Sequence, residues 1–486
     1  MKVKHQGAAS EKAGTPQHRR PVARSLGHKF LPLFLALLAL LSATGCATTA
    51  TPQGLYHRVW EATPQNIYDP EVLVSWQLWE HRYDGRLNSQ EDAERAIAEM
   101  LKATGDRYTY LMNPKAIKDD NARRDGTFTG VGITLGVRAN NHGQPARTSE
   151  GHLLPEADSG GYPVVTKLVK GSPAEKAGLA VGDAITSING VSSGGHPLNQ
   201  MVEQLRGDAG TTVTLGVRRG DRNWTLTLTR ATVNVPAVTV RMLAGGIGYL
   251  RLEGFEQADA IAEFKAGLES LKGAKALVID VRGNLGGLVY NAVEIAAFFV
   301  NEGKIVTIKH RIPRRGYMTE TVRVTRESRL RLTGTDESTD TDVETSGRQP
   351  YLANGRPVVV LVNGYSASAT ELFTGAVKDN GAATIIGTRT YGKGIGQSNI
   401  DMPNGTRLHV TSLHYFTPNG TWIGDGGNTQ PIPHGIIPDV VIEPNSDLEF
   451  GEQNDNQLER AIELLNERLG RTPPRPVFRS AASCTG

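Results

Sequence analysis

The spacing of apolar positions changes along this chain, and the changes mark its parts. Residues 88–103 place Ala93, Ile97, Met100 and Leu101 at offsets 0, 4, 7 and 8, one stripe of a helix. Ser89, three residues before Asp92, is a helix-start signal. Beyond Gly105, residues 106–111 read as a turn and an apolar plug. From 119 to 235 the pattern becomes short alternation. Strands are predicted over 164–168, 184–188, 212–218 and 224–229, parted by Asn189-Gly190 and Arg219-Gly220-Asp221. One helix, 196–205, sets Leu198, Met201, Val202 and Leu205 on one face. A compact small β-barrel fits this stretch, with 139–161 as a surface loop. From 236 to 446, buried strands (246–252, 276–281, 357–362, 384–386) alternate with helices (257–271, 288–299, and one ending near 379). That is an α/β core. Twelve of the fourteen residues in 333–346 are Ser, Thr, Asp or Glu, so a mobile surface loop is expected there. A last helix, 456–469, precedes a Pro-containing tail.

The first 45 residues differ from all of this. They hold seven basic side chains and one acidic one, and end in the uncharged run 30–41, FLPLFLALLALL. That run is short for a bilayer span and has the order of an export signal. Small residues and then Cys46 follow, an arrangement that resembles a bacterial lipobox, in which the cysteine is acylated. Ala43 stands where a leucine is expected, so a plain cleaved signal or an uncleaved anchor stays open. The formal charge of +3 comes from this segment; without 1–45 the chain carries −3. Nucleic-acid binding thereby loses its support. With Cys46 acylated, Cys484 has no partner within the chain, since these are the two cysteines. The segments expected are 1–45 export signal, 46–118 tether and helical region, 119–235 β-domain, 236–446 α/β core and 447–486 C-terminal helix and tail.

Candidate chemistry lies in two glycine-rich turns and a lysine. Residues 280–287 (DVRGNLGG) and 363–371 (NGYSASATE) each join a strand to a helix. Small residues at helix starts can aim backbone N–H groups at one point, as an oxyanion hole requires. A serine there needs a base. His414 and His434 have no triad context, and Ser368 has no G-x-S-x-G elbow. Lys393, within YGKGIGQ, has no acid within six residues on either side. A lysine that burial drives toward neutrality is a competent base. Residues 387–393 match the start of a phosphate-binding loop, but Gly394 stands where Ser or Thr is needed. The histidines are scattered, so neither metal nor cofactor is expected.

Asp-x-Arg-x-Asn-x-Gly-Gly, then Ser-Ala-Ser-Ala-x-Glu, then Gly-Lys-Gly-x-x-Gln resembles the carboxyl-terminal processing peptidases, or tail-specific proteases. The resemblance runs from about residue 60 to 443 and implies a crotonase/ClpP-like α/β protease core, an inserted PDZ domain and a helical N-terminal region. It implies a serine endopeptidase with Ser368 as nucleophile, Lys393 as base and Gln397 orienting the lysine. The amides of Gly286 and Ala369 would form the oxyanion hole, with Gly287 as the alternative to Gly286. Ser366, Asp280, Arg282 and Glu371 read as structural. Departures are Gly283 and Leu285, where Asn and Pro are commoner. Phe128-Thr129-Gly130-Val131-Gly132-Ile133 is similar to a PDZ carboxylate-binding loop, with Met201 and Leu205 lining the pocket. Partners implied are protein or peptide tails with apolar C-termini, and a membrane through Cys46 in the bacterial cell envelope. Homo-oligomerisation, a catalytically inactive tail-binding adaptor, and an acyl-transfer enzyme on the same core remain open.

Overall fold

The runs Ala276–Asp280 and Val358–Val362 lack polar alternation because both of their faces are covered. In the computed structural model they are parallel neighbours at the centre of a six-stranded sheet. The order is Val238–Leu243, Ile247–Leu252, Ala276–Asp280, Val358–Val362, Thr384–Gly387 and Val440–Val441. The last five run parallel, and the first is antiparallel to its neighbour. Alternate side chains enter two cores. Leu277, Ile279 and Val281 join Phe264, Ile295 and Phe373 of the helices Ala260–Ser270, Val289–Ala296 and Ala369–Asp379. Ala276 and Val278 face Leu458, Ala461 and Leu465 of the helix Asn456–Arg468. The described residues are 51–471 without 137, 139–145, 147, 149–153, 336–341, 428–433, 446–449 and 452–453. Cys46, the apolar run 30–41 and Cys484 lie outside them.

A second, antiparallel sheet of seven strands stands beside this layer. It runs from Tyr110–Met112 through Arg407–Phe416, Gly303–Ile312, Gly316–Val324 and Ser328–Thr335 to the edge strand Asp342–Gly347, and Ile395–Asp401 pairs with Arg407–Phe416. The loop expected over 333–346 is therefore corrected. Its two ends are paired strands, and the remainder, 336–341, lies outside the described residues. Thr and Val suit a pleated strand, and an exposed hairpin needs no apolar core, so polar composition alone misleads there. Helices Pro52–Asn66 and Gln90–Lys102 pack on this sheet through Leu55, Val59, Ile97 and Met100 against Leu408 and Val410. Ser89 and Asp92 cap the second helix reciprocally.

Between 127 and 234 lies a separate small β-unit. A four-stranded sheet orders Val191–Ser192, Ala184–Ile188, Thr212–Arg219 and Arg222–Thr229, and two strand pairs complete it. Its core, centred on Ile185, Leu215 and Val217, includes Leu198, Met201 and Leu205 of the helix Leu198–Leu205. It meets the rest of the chain through ion pairs such as Lys167–Glu253, 2.6 Å, and Lys118–Asp208, 3.4 Å.

Candidate active site

Parallel neighbours deliver their outgoing turns to the same edge of a sheet. Ala276–Asp280, Val358–Val362 and Thr384–Gly387 are such neighbours, so the turns after them lie side by side. The first two turns are stitched together by buried bonds. Gly283 N–H donates to Asn363 Oδ1 (3.0 Å), and Ser366 Oγ donates to Val281 O (2.9 Å). Ala367 N–H and Thr370 Oγ both donate to Asn284 O at 3.0 Å, and Thr370 Oγ reaches Asn284 Oδ1 at 2.8 Å. Ser366 is fully buried and so structural. Gly283 takes φ 77°, a left-handed conformation open to glycine and tolerated by asparagine, and Leu285 beside it is 66% exposed.

Beneath the first turn sits a buried ionic cluster. Arg282, 1% exposed, bonds Asp280 (2.6 and 3.0 Å), Asp455 (2.6 and 2.9 Å) and Gln457 (2.9 Å). Arg282 and Asp280 thus form a buried ion pair, with a further partner from the C-terminal helix that no local motif announces. The Arg282 guanidinium, with Arg251 beside it, holds the Asp280 carboxyl below its usual range against the effect of burial.

Ser368 caps the Ala369–Asp379 helix at φ 56°, ψ −120°, a strained backbone for a residue with a side chain. Glu371 holds it there. The buried Glu371 carboxylate accepts from Ser368 N–H (2.9 Å), Thr390 Oγ (2.6 Å), Gly392 N–H (2.7 Å) and Lys393 N–H (2.9 Å). One carboxylate therefore clasps the serine turn to the lysine segment. Burial pushes its pKa up, and these four donors pull it back.

Lys393 is half-buried. Its Nζ donates to Gln397 Oε1 (3.1 Å) and stands 4.4 Å over the Tyr108 ring. Gln397 is held in turn by Thr411 (3.4 Å), whose N–H donates to Thr109 Oγ (3.1 Å), and Thr109 Oγ donates to Asp106 (2.6 Å). Burial lowers the lysine pKa to about 8, and the charges of Asp106 and Glu371 oppose that shift. The buried Tyr415 hydroxyl donates to Lys393 O and contacts the Ser368 side chain. Among the described residues, Lys393 Nζ bonds to Gln397 and not to Ser368. Ser368 and Lys393 thus share the site without a mutual hydrogen bond.

Gly286 lies against the serine turn. A Cβ on it would stand 2.9 Å from Ser368 Cβ and 3.0 Å from Ala369 N, so only glycine fits. Its N–H, however, donates to Asn284 Oδ1 (2.9 Å). Among the described residues the amides of Gly287 and Ala369 donate to no protein acceptor. This qualifies the expectation for Gly286, because a committed donor is not free to meet an oxyanion.

Comparison with known proteins identifies the family. The sequence model "Peptidase family S41" matches residues 246–442, and "PDZ domain" matches 164–219. Carboxyl-terminal-processing peptidase 2, chloroplastic, of Arabidopsis thaliana is 32% identical over 431 residues, covering 82% of this chain and 74% of its own. The carboxy-terminal-processing protease of Bartonella bacilliformis is 32% identical over 364 residues, covering 73% of this chain and 70% of its own. The chain belongs to the carboxyl-terminal processing peptidases. They are serine proteases, and the small β-unit is a PDZ domain. A solved structure, photosystem II D1 C-terminal processing protease, superposes with a TM-score of 0.48 at 26% identity, over 80% of this chain and 92% of that one.

In the peptidase's small β-unit, Phe128 and Gly130 lie on the strand Thr127–Gly130, and Ile133 begins Ile133–Leu135. The amides of Val131 and Gly132 between them donate to no protein acceptor among the described residues. Their carbonyls hold the Ser172 turn through Ala174 N–H and Val169 N–H, each at 2.9 Å. Met201 and Leu205 are 2% and 6% exposed and pack with Val131, so they belong to the floor beneath the loop. Sequence reading missed Asp106, Tyr108, Thr109 and Tyr415 as neighbours of the lysine. The compact run 106–111 was visible as a plug, but what it plugs depends on strand pairing 300 residues away.

Proposed function

We propose that this peptidase holds protein C-terminal tails in its PDZ domain and cleaves the polypeptide with Ser368 and Lys393. The observation that carries this reading is the delivery of three turns to one sheet edge, with a serine at a helix start and a half-buried lysine beside it. Neutral Lys393 takes the proton as Ser368 Oγ attacks the peptide carbonyl. The developing O⁻ meets Ala369 N–H and one glycine amide, Gly287 as it stands, or Gly286 once Asn284 releases it. Lys393 then protonates the leaving amine, and water hydrolyses the acyl-serine by the same route. Gln397 directs the amine without adding a negative charge that would hold it protonated, and must yield it to Ser368 for the dyad to close. The peptide tail adds as a strand beside Ile133–Leu135, with its carboxylate on the free Val131 and Gly132 amides. The core is of the crotonase/ClpP-like kind, with the helical N-terminal region as its support.

The test is cleavage of an unfolded protein with an apolar C-terminus. Ser368→Ala and Lys393→Ala should each lower kcat/KM by about 10³ or more, and amidating the tail should raise KM. Full cleavage by either variant overturns the dyad. The chain is further proposed to be exported and anchored in the cell envelope through acylated Cys46. Cys46→Ser should move it from the membrane to the soluble fraction.

A further inference from the structure

We propose that the N-terminal helical region carries a zinc site formed by His57, His81 and Asp84. His57 lies on the helix Pro52–Asn66, with Gln53 one turn earlier on the same face. His81 and Asp84 lie three residues apart, just after the short helix Trp76–Trp79. That turn is fixed on the longer helix by two reciprocal bonds. Trp60 Nε1 donates to Trp76 O and Trp76 Nε1 to Trp60 O, both at 3.1 Å. Tyr56 Oη donates to Trp79 O at 2.5 Å. The backbone thus sets the three side chains before any ion arrives.

The three ligand atoms lie within 4.8 Å of one another. His57 Nε2 is 3.5 Å from Asp84 Oδ1, and His81 Nδ1 is 2.9 Å from Asp84 Oδ2. Zinc–nitrogen and zinc–oxygen bonds of about 2.0–2.1 Å make a tetrahedral edge of roughly 3.3 Å; the two separations run to different oxygens of Asp84, so binding through one oxygen requires the carboxylate to turn. Gln53 Nε2 sits 2.9 Å from His57 Nε2 and 2.8 Å from Asp84 Oδ1, at the remaining corner. Turning that amide over presents its oxygen, and a water can take the same place. Two imidazoles and one carboxylate suit zinc better than calcium or magnesium, which prefer oxygen alone. The histidines read as scattered in the sequence because their convergence depends on the packing of Trp60 against Trp76. Bound zinc would staple the 76–84 turn to the start of the helix.

The test uses the whole mature chain, stripped with a chelator and titrated with Zn²⁺ and Co²⁺. One equivalent of zinc should bind, the melting temperature should rise, and Co²⁺ should show the visible absorption of a four-coordinate site. His81→Ala and Asp84→Ala alter exposed side chains, and should leave peptidase activity intact. Each should weaken zinc binding at least about tenfold and abolish the cobalt spectrum. Absence of saturable uptake, or equal uptake by both variants, overturns the site.

Discussion

The two halves of the catalytic edge are held very differently. Ser368 stands on a turn fixed by buried bonds from Asn284, Ser366, Thr370 and Glu371. The side chain of Lys393 has one hydrogen bond, at 3.1 Å, and an aromatic face. A strained nucleophile backbone persists only where its surroundings over-determine it, whereas a base must move a proton and then give it back. For the proposed dyad, the contrast implies that closure is a rearrangement of the lysine and not of the serine.

Three changes test that contrast, in falling order of effect. Arg282→Met leaves Asp455 buried without its cation and Asp280 with Arg251 alone. It should cost about 3–5 kcal/mol in denaturant unfolding and lower activity with it. Thr370→Val keeps the shape but removes both bonds to Asn284. A loss of about 1–3 kcal/mol is expected, with a lower kcat and an unmoved pH profile. An unaltered kcat would show that the serine turn is less tightly determined than its bonds imply. The smallest change is Asp106→Asn on the lysine side. Wild-type kcat/KM should rise with pH through about 8, since the base works when deprotonated. Asp106 favours the charged lysine, so removing its charge should move that limb to lower pH, by less than about one unit.

The same contrast explains how much could be read in the sequence. Ser368 and Gly286 sit in turns whose neighbours are close along the chain, or on adjacent parallel strands that the apolar runs announce. The α/β layer was legible for that reason. The surroundings of the lysine were not. Thr109 meets Thr411 across 302 positions, and no periodicity encodes that meeting. The long strands of 303–335 and 395–416 were missed because they alternate polar and half-buried positions in an open sheet, where side chains satisfy water as readily as a core. The commitment of Gly286 N–H to Asn284 is likewise a matter of side-chain direction, which spacing does not carry.

The bond from Arg282 to Asp455 also bears on the order of events during synthesis. The two residues are 173 positions apart, and Asp455 follows Ser368, Lys393 and both glycine turns along the chain. A nascent polypeptide therefore displays its serine, its lysine and both glycine turns well before the partner that locks the first turn has emerged. Until then Arg282 has only Asp280, and the sheet face meant for the C-terminal helix lies open. The first turn is therefore locked only after residues 280–393 have been made, by a residue that follows them in the chain.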